Sequence, residues 1–318
     1  MSSPSLSIVV PIHNESASIA ELFVELEASL GAWGRRYEVL AIDDGSTDDS
    51  FDRLVAIQAA DARVRVVRFR RNFGQTAAFA AGFALARGQV VVTCDGDLQN
   101  DPHDIPALVA MVEQGADIAC GWRQDRKDRF FSRRVPSMMA SWIISHVTGV
   151  RLHDYGCSLK AFRADVVKPL RLYGGMHRLL PAIASERGAT IVERIVNHRR
   201  RRFGRSKYGL GRIVPVVLDL LTVKCFLNHA ARPIRVFGSL GLASGAIGLG
   251  VLGWLAWLAA VDGQGVGDRA ALLVGVLLVL AGVQLVAVGM LAEMQARTYY
   301  ESQDKPTYVI REIRENLS

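Results

Sequence analysis

Three apolar, β-branched runs in the first hundred residues each stop abruptly on a polar cluster. Ile8-Val9-Val10 gives way to Pro11-Ile12-His13-Asn14-Glu15, Val39-Leu40-Ala41-Ile42 to Asp43-Asp44-Gly45-Ser46-Thr47-Asp48, and Val90-Val91-Val92-Thr93-Cys94 to Asp95-Gly96-Asp97-Leu98-Gln99. Longer segments with helical spacing separate them. Such alternation predicts βαβ units and a mainly parallel sheet, hence an α/β class, in which the carboxyl ends of the strands share one edge. Open α/β sheets bind their ligands at that edge. The spacing predicts strands over 5–11, 37–42, 64–69, 90–94 and 117–121, and helices over 16–30, 48–60, 75–86 and 105–114, with Asp48 and Asp104 as helix caps.

The third cluster carries the strongest chemical signal. Asp95, Asp97 and Gln99 place two carboxylates and an amide at a strand end, a hard-oxygen set suited to Mg²⁺ or Mn²⁺. Mg²⁺ is usually held by one or two carboxylates plus substrate phosphates, which points to a diphosphate-containing substrate. The other reading of these residues is an acidic turn after a strand. Asp43 and Asp44 are suited to accept hydrogen bonds from a base or ribose, with the backbone of Pro11 and Ile12 lining the base. Each is equally compatible with ordinary turn chemistry, but three such loops on one edge favour a nucleotide site.

The last third of the chain is different in kind. Residues 234–261 carry a single charge, Arg235 near their start, and residues 270–292 carry none. Each stretch exceeds the ~20 residues that cross a bilayer. The short, turn-rich 262–269 segment between them makes the pair a hairpin, so that both outer ends face the same side of the membrane. Arg232, Arg235, Arg297 and Lys305 flank those ends, and the positive-inside rule then places the large N-terminal domain in the cytoplasm, on an inner (cytoplasmic) membrane that the chain crosses more than once. Met1–Ser5 lacks a basic region and 6–11 is too short for the apolar core of a signal peptide, so none is expected. The expected domains are 1–211 (catalytic), 212–233 (interfacial helix), 234–292 (two membrane helices) and 293–318 (cytoplasmic tail).

Four cysteines, Cys94, Cys120, Cys157 and Cys225, show no C-x-x-C pairing, which argues for a reducing compartment and against structural zinc. The net charge of +7 is concentrated near Arg123–Arg134 and Arg199–Arg202. Beside a membrane anchor, such clusters suit anionic headgroups or phosphates better than nucleic acid, and no nucleic-acid partner is expected. A charge run is usually a solvated face, so only Arg201 of the second run is assigned to the site, and Lys160 and Arg163 are expected at the surface. Met138, Met139, Trp142, Ile143, Ile144 and Val147 fall at helical spacing, either as an interfacial helix or as a core helix. Residues 213–227 form a similar segment. Gly248-Leu-Gly-Val-Leu-Gly253 matches a dinucleotide-binding pattern but lies inside an expected membrane helix and follows no strand, so it is set aside. Gly241 and Gly245 instead suggest close helix packing, with homo-oligomers possible.

Taken together, Val10–Glu15, Asp43–Asp48, Arg71-Asn72-Phe73-Gly74-Gln75, Asp95–Gln99, Gly121-Trp122-Arg123, Asp154–Lys160 and Arg201-Arg202-Phe203-Gly204-Arg205-Ser206-Lys207-Tyr208 resemble family 2 glycosyltransferases that charge a polyprenyl phosphate with one sugar. The resemblance covers roughly residues 5–235 and includes dolichol-phosphate mannose synthases and bacterial glucosyl- and aminoarabinose transferases. It implies a GT-A, Rossmann-like nucleotide-diphospho-sugar transferase domain followed by the two-helix hairpin. By position, Asp95, Asp97 and Gln99 would hold the metal and the donor diphosphate. Pro11, Ile12, His13, Glu15, Asp43, Asp44, Ser46, Asp95 and Gly96 would bind the nucleotide-sugar, His13 standing where the family carries Tyr. Arg123, Arg133 and Ser137 would grip the lipid phosphate, and Arg201 and Lys207 would close over the phosphates. Asp154 either orients sugar or acceptor or is a structural carboxylate pairing with an arginine.

The implied reaction moves a sugar from a UDP- or GDP-sugar to a polyprenyl phosphate, undecaprenyl phosphate foremost, with inversion and with Mg²⁺ or Mn²⁺. A polysaccharide synthase is disfavoured because no Gln-x-x-Arg-Trp element occurs. A non-catalytic membrane scaffold of the same fold is disfavoured because Asp95, Asp97, Gln99, Arg123 and Lys207 are all present.

Overall fold

The computed structural model describes residues 4–125, 135–172, 175–200, 202, 234–262, 270–302 and 307–316. They fall into two compact units, one formed by the first 220 residues together with 306–318, the other by 221–305.

In the first unit the expected alternation is present: β1 (Leu6–Ile12), α1 (Ser16–Gly31), β2 (Tyr37–Asp43), α2 (Ser50–Ala60), β3 (Val64–Phe69), α3 (Gln75–Leu85), β4 (Val90–Thr93), α4 (Ile105–Glu113) and β5 (Ile118–Trp122). Ile8, Val9 and Val10 are wholly buried, as are Ala41 and Ile42, because helices cover both faces of the central strands and leave no solvent side on which to alternate. After β5 come α5 (Val135–Thr148), β6 (Lys160–Arg163), α6 (Ala164–Val167), α7 (Leu180–Ser185) and β7 (Ile191–Ile195), and near the end of the chain β8 (Ile310–Arg314).

These eight strands form one sheet in the order β7-β5-β6-β4-β1-β2-β3-β8. The sheet is mainly parallel through its central strands, as expected, with two antiparallel strands added. β1–β2, β1–β4, β2–β3 and β5–β7 are parallel pairs, whereas β6 runs antiparallel to both β4 and β5, and β8 antiparallel to β3. The residues expected as a tail from 293 onward instead finish a helix and supply an edge strand. Asp104 holds the N-cap position of α4 as expected, although its side chain accepts the Asn197 N–H rather than a helix N–H; at α2 the cap position falls on Asp49, one residue after Asp48, which accepts the Ser50 N–H.

Two expectations about charged surface are corrected. Lys160 is buried, its ammonium donating to the carbonyl oxygens of Tyr155 and Cys157. Within the second basic run, Arg199 pairs with Glu25 at 2.6 Å and Asp101 at 2.8 Å and is partly withdrawn from solvent, whereas Arg200 and Arg202 are exposed as expected, Arg202 pairing with Glu21 at the surface. Arg163 is exposed as expected. On α5, Ser141 and Ile144 are buried while Met138 and Trp142 are 58% and 68% exposed, an apolar stripe on the outer face of the helix.

The second unit is a helical hairpin of α8 (Ile234–Asp262) and α9 (Ala270–Ser302). Its apolar spans, Phe237–Val261 and Ala270–Ala292, are long enough to cross a membrane and expose most of their side chains, including Leu242, Leu249, Trp257, Leu273 and Val283. A buried core helix would not do this. The helices touch backbone to backbone at glycines: a Cβ on Gly241 would lie 2.6 Å from the Gly282 carbonyl oxygen, and one on Gly248 would lie 2.8 Å from that of Gly275. The seam therefore runs through Gly241, Gly245 and Gly248, since a Cβ on Gly282 would also lie 2.9 Å from the Gly245 nitrogen. Gly248 and Gly253 lie within α8, as expected.

Candidate active site

The carboxyl ends of β1, β2 and β4 bring the three polar clusters together. Asp44 N–H donates to the Ile12 carbonyl at 2.8 Å, and His13 Nδ1 lies 2.9 Å from the Asp44 carbonyl oxygen. The Asn14 N–H donates to Ser46 Oγ at 3.0 Å, the Glu15 N–H to Ser50 Oγ at 3.0 Å, and Ser18 Oγ to the Gly96 carbonyl at 2.7 Å. One loop is thus fastened to the next across the edge. Gly96 allows this closeness, since a Cβ there would come 2.5 Å from Ile12 Cδ1.

Asp43 and Asp44 differ in their surroundings. Asp43 is wholly buried; Oδ1 accepts the Ser46 N–H, while Oδ2 has no hydrogen bond and faces Arg68 Nε at 3.4 Å. Asp44 accepts the N–H groups of Phe73 at 2.7 Å and Gly74 at 2.9 Å, one on each carboxylate oxygen. Burial raises the Asp44 pKa above the usual carboxylate value, and the two N–H bonds only partly oppose it. Both oxygens keep a further lone pair for a ligand donor.

At the end of β4, Asp95 is gripped by neutral donors: Gln75 Nε2 at 2.8 Å on Oδ1 and Ser158 Oγ at 2.6 Å on Oδ2. Asp97 Oδ1 accepts the Gln99 N–H at 3.2 Å in a tight turn through Leu98, whose φ is +61°. The Gln99 amide reaches His198 and the Arg199 carbonyl, at 3.4 and 3.5 Å, and the Arg199 N–H returns a bond to the Gln99 carbonyl. Two oriented carboxylates and an amide form a donor set that fits a hard divalent cation with ligand positions left for substrate oxygens. Among the described residues, no group of three or more His, Cys, Asp or Glu side chains could hold a metal ion by itself.

Arg123, just beyond β5, makes a two-pronged contact with Asp154: Nε to Oδ2 at 2.7 Å and Nη2 to Oδ1 at 3.0 Å. Burial alone would lower the Arg123 pKa, but the Asp154 carboxylate, with the more distant Asp95, holds it above its ordinary value. Of the two roles open for Asp154, the pairing with an arginine is the one the structure contains. Trp122 stacks on His153 at 4.1 Å, and His153 meets Glu193 at 2.9 Å, which fixes the strand end that carries Arg123.

Gln75, Ser158 and the Phe73–Gly74 N–H pair lie inside the Arg71–Gln75 and Asp154–Lys160 motifs, but nothing local in the sequence gives them, or His198, a role at the site. Arg133, Arg201 and Lys207, and the side chain of Ser137, lie outside the described residues. Cys94, Cys120 and Cys157 are buried free thiols whose pKa values burial raises, to about 12 for Cys120, so none is a thiolate nucleophile.

The model for "Glycosyl transferase family 2" matches residues 7–171, which hold β1 to β6 and every polar cluster above. The chain belongs to this family. It is a glycosyltransferase, and the expected GT-A fold is the one observed. Among curated relatives, this family 2 transferase is 44% identical to a dodecaprenyl-phosphate galacturonate synthase of Rhizobium johnstonii over 98% of its own length and 94% of the relative's. It is 36% identical to an undecaprenyl-phosphate 4-deoxy-4-formamido-L-arabinose transferase of Klebsiella pneumoniae over 97% and 93%, and 35% identical to that of Edwardsiella ictaluri over 97% and 94%. Glucosyl-3-phosphoglycerate synthase of Mycobacterium tuberculosis, solved with Mn²⁺, UDP and glucosyl-3-phosphoglycerate, shares the fold with a TM-score of 0.56 at 20% identity, over 72% of this chain and 82% of that one.

Proposed function

We propose that this glycosyltransferase moves one sugar from a UDP- or GDP-sugar to a polyprenyl phosphate, undecaprenyl phosphate foremost, at the cytoplasmic face of a membrane crossed by α8 and α9. The observation that carries this reading is the fastening of the Asp43–Ser46, Pro11–Glu15 and Asp95–Gln99 loops into one edge, beside the Arg123–Asp154 pair. The polyprenyl-phosphate acceptors in the names of the full-length relatives support the acceptor class.

The roles follow from the residue types. Asp44, with the backbone of Pro11 and Ile12 and with His13, Glu15 and Ser46, receives the nucleoside, while buried Asp43 shapes the loop beneath it. Asp95, Asp97 and Gln99 would hold Mg²⁺ or Mn²⁺, which would supply positive charge to the departing nucleoside diphosphate. Gln75 and Ser158 orient Asp95. Arg123 supplies positive charge, with Arg133, Arg201, Lys207 and the Ser137 hydroxyl as the remaining phosphate contacts. A lipid phosphate is ionised near neutral pH, so its oxygen needs no strong base. A lone pair on that oxygen forms the new bond to the anomeric carbon as the bond from that carbon to the diphosphate oxygen breaks, and its electrons leave with the nucleoside diphosphate. Attack opposite the leaving group inverts the anomeric centre. Catalysis is then positioning plus charge stabilisation.

Both outer ends of the hairpin continue into the sheet-bearing unit, and basic residues flank them, which supports a cytoplasmic catalytic domain. The exposed Met138–Trp142 stripe of α5 suits contact with the lipid interface, where an isoprenoid phosphate presents its head.

The test is transfer of radiolabelled sugar from a panel of UDP- and GDP-sugars to undecaprenyl phosphate by detergent-purified protein, with Mg²⁺, Mn²⁺ or EDTA. A glycolipid that forms with metal and disappears with EDTA is the expected result. Product formed equally well in EDTA would remove the metal from this reading, and release of free sugar without lipid product would remove the acceptor.

A further inference from the structure

The nucleotide loops are braced by the far end of the chain. β8 lies antiparallel on β3, with Arg68 opposite Glu312 and Phe69 opposite Ile310, and the Arg70 N–H donates to the Val309 carbonyl at 3.0 Å where β3 ends. The next residues, Arg71 to Gly74, are the loop whose Phe73 and Gly74 N–H groups hold Asp44. Tyr308 stacks on Phe69 with ring centres 5.1 Å apart, and Phe69 in turn packs edge-on against Phe73 at 5.8 Å. A second line runs through charge. Arg68 stands between Glu312, at 3.8 Å, and buried Asp43, at 3.4 Å, with its guanidinium 4.0 Å above the Phe51 ring. Both carboxylates of the Asp43–Asp44 pair are therefore backed by residues whose other neighbours belong to β8 or to the turn before it.

We infer that the segment from Tyr308 to Glu312, beyond the second apolar helix, is part of the donor-binding apparatus. Tyr308 and Glu312 are positioning residues: the ring fixes Phe69 and Phe73 so that the Phe73–Gly74 N–H pair stays on Asp44, and the carboxylate holds Arg68 over Asp43. This rests on the assignment of Asp44 to the nucleoside. Mere protection of a sheet edge by β8 predicts something different, a loss of stability with no change in donor affinity.

The test uses full-length protein in detergent, as Tyr308→Ala, Glu312→Gln and Tyr308→Phe. Hydrogen exchange at the Phe73 and Gly74 amides is expected to quicken about tenfold or more in Tyr308→Ala, with amides in the middle of β1 unchanged. The donor KM, and the Kd of UDP or GDP with Mn²⁺, should rise about tenfold while kcat stays within about twofold. Glu312→Gln should give a smaller rise of the same kind, and it carries the test should Tyr308→Ala not fold. Tyr308→Phe, which keeps the ring, should restore both readings. Wild-type exchange and wild-type donor KM in Glu312→Gln and in any folded Tyr308→Ala, or a lowered melting temperature with unchanged KM, would overturn the inference. Asp44→Asn separates the two levels. If it leaves the donor KM unchanged while Tyr308→Ala still loosens the loop, the nucleoside assignment has failed; if it raises KM and Tyr308→Ala does nothing, the bracing role has failed.

Discussion

The two ends of the central sheet both bury charge, and they treat it in opposite ways. At the amino end, Glu38 accepts bonds from Ser7 Oγ at 2.6 Å, the Arg87 N–H at 2.6 Å and Arg65 Nη1 at 2.9 Å. Arg65 also pairs with Glu315 at 2.7 Å, and Arg87 reaches the same carboxylate at 2.9 Å. Arg65 and Glu38 are 7% and 6% exposed, and each charge there meets its opposite. At the carboxyl end, Asp44 and Asp95 are gripped by amide, hydroxyl and backbone N–H donors, and Asp97 sits two residues from Asp95. Neutral donors fix a carboxylate in place while leaving its charge for another cation. Under the proposed function, charge thus serves stability at one end and is left for a cation and a phosphate-bearing ligand at the other.

Substitutions should separate the two ends cleanly. The largest effect is expected from Asp97→Ala, which should lower sugar transfer by at least about a hundredfold while circular dichroism and melting temperature hold. Unchanged transfer would return Asp97 to an ordinary turn residue. At the amino end, Arg65→Met leaves Glu38 buried beside a lost partner and should cost about 3–5 kcal/mol of stability. Turnover per folded molecule should stay near wild type in that variant, as read by denaturant unfolding and by activity normalised to folded protein; a hundredfold loss of turnover would dissolve the distinction between the ends.

A finer cut concerns how closely the loops approach. Gly96→Ala places a methyl against Ile12 Cδ1 and should cost about 1–3 kcal/mol, accompanied by weaker donor binding. Ile12→Val, which removes Cδ1, should recover part of that loss, so that the double variant binds donor better than Gly96→Ala alone. Additive losses would place the strain elsewhere.

The smallest effect is a pH dependence. Burial alone would raise the Asp101 pKa, but hydrogen bonds from Asn197 and His103 and the Arg199 guanidinium bring it down to about 2. A carboxylate held below its ordinary value, about 4, contributes stability that is complete above that value and is lost as pH falls towards 2. Asp101→Asn should therefore flatten the acid limb of a stability-versus-pH curve. An unchanged limb would mean that other carboxylates set it.

Much of the carboxyl end could be read from the chain because its signal is local. A β-branched run that breaks into Asp-Gly-Asp or Asp-Asp-Gly-Ser marks both a strand and its polar carboxyl end, and it does so twice, with Pro11–Glu15 as a weaker third case. The partners that orient those residues come from elsewhere: Gln75 from the start of α3, Ser158 from the approach to β6, His198 from beyond β7. Only tertiary folding brings them near Asp95 and Gln99. The strands that escaped notice were short or charged. Lys160-Ala-Phe-Arg163 has a polar residue at each end, and Ile310-Arg-Glu-Ile-Arg314 carries three charges in five positions, a pattern suited to an edge strand and easily taken for tail. Arg199 departs from the solvated reading of its run for the same reason, since Glu25 on α1 can be matched to it only in three dimensions.

The most direct test of the contrast between the two ends is a Mn²⁺ titration followed by electron paramagnetic resonance, with UDP or GDP present, on wild type, Asp97→Ala and Arg65→Met. The account predicts nucleotide-dependent Mn²⁺ binding that is lost in Asp97→Ala and retained in folded Arg65→Met. Equal Mn²⁺ binding by wild type and Asp97→Ala would contradict it.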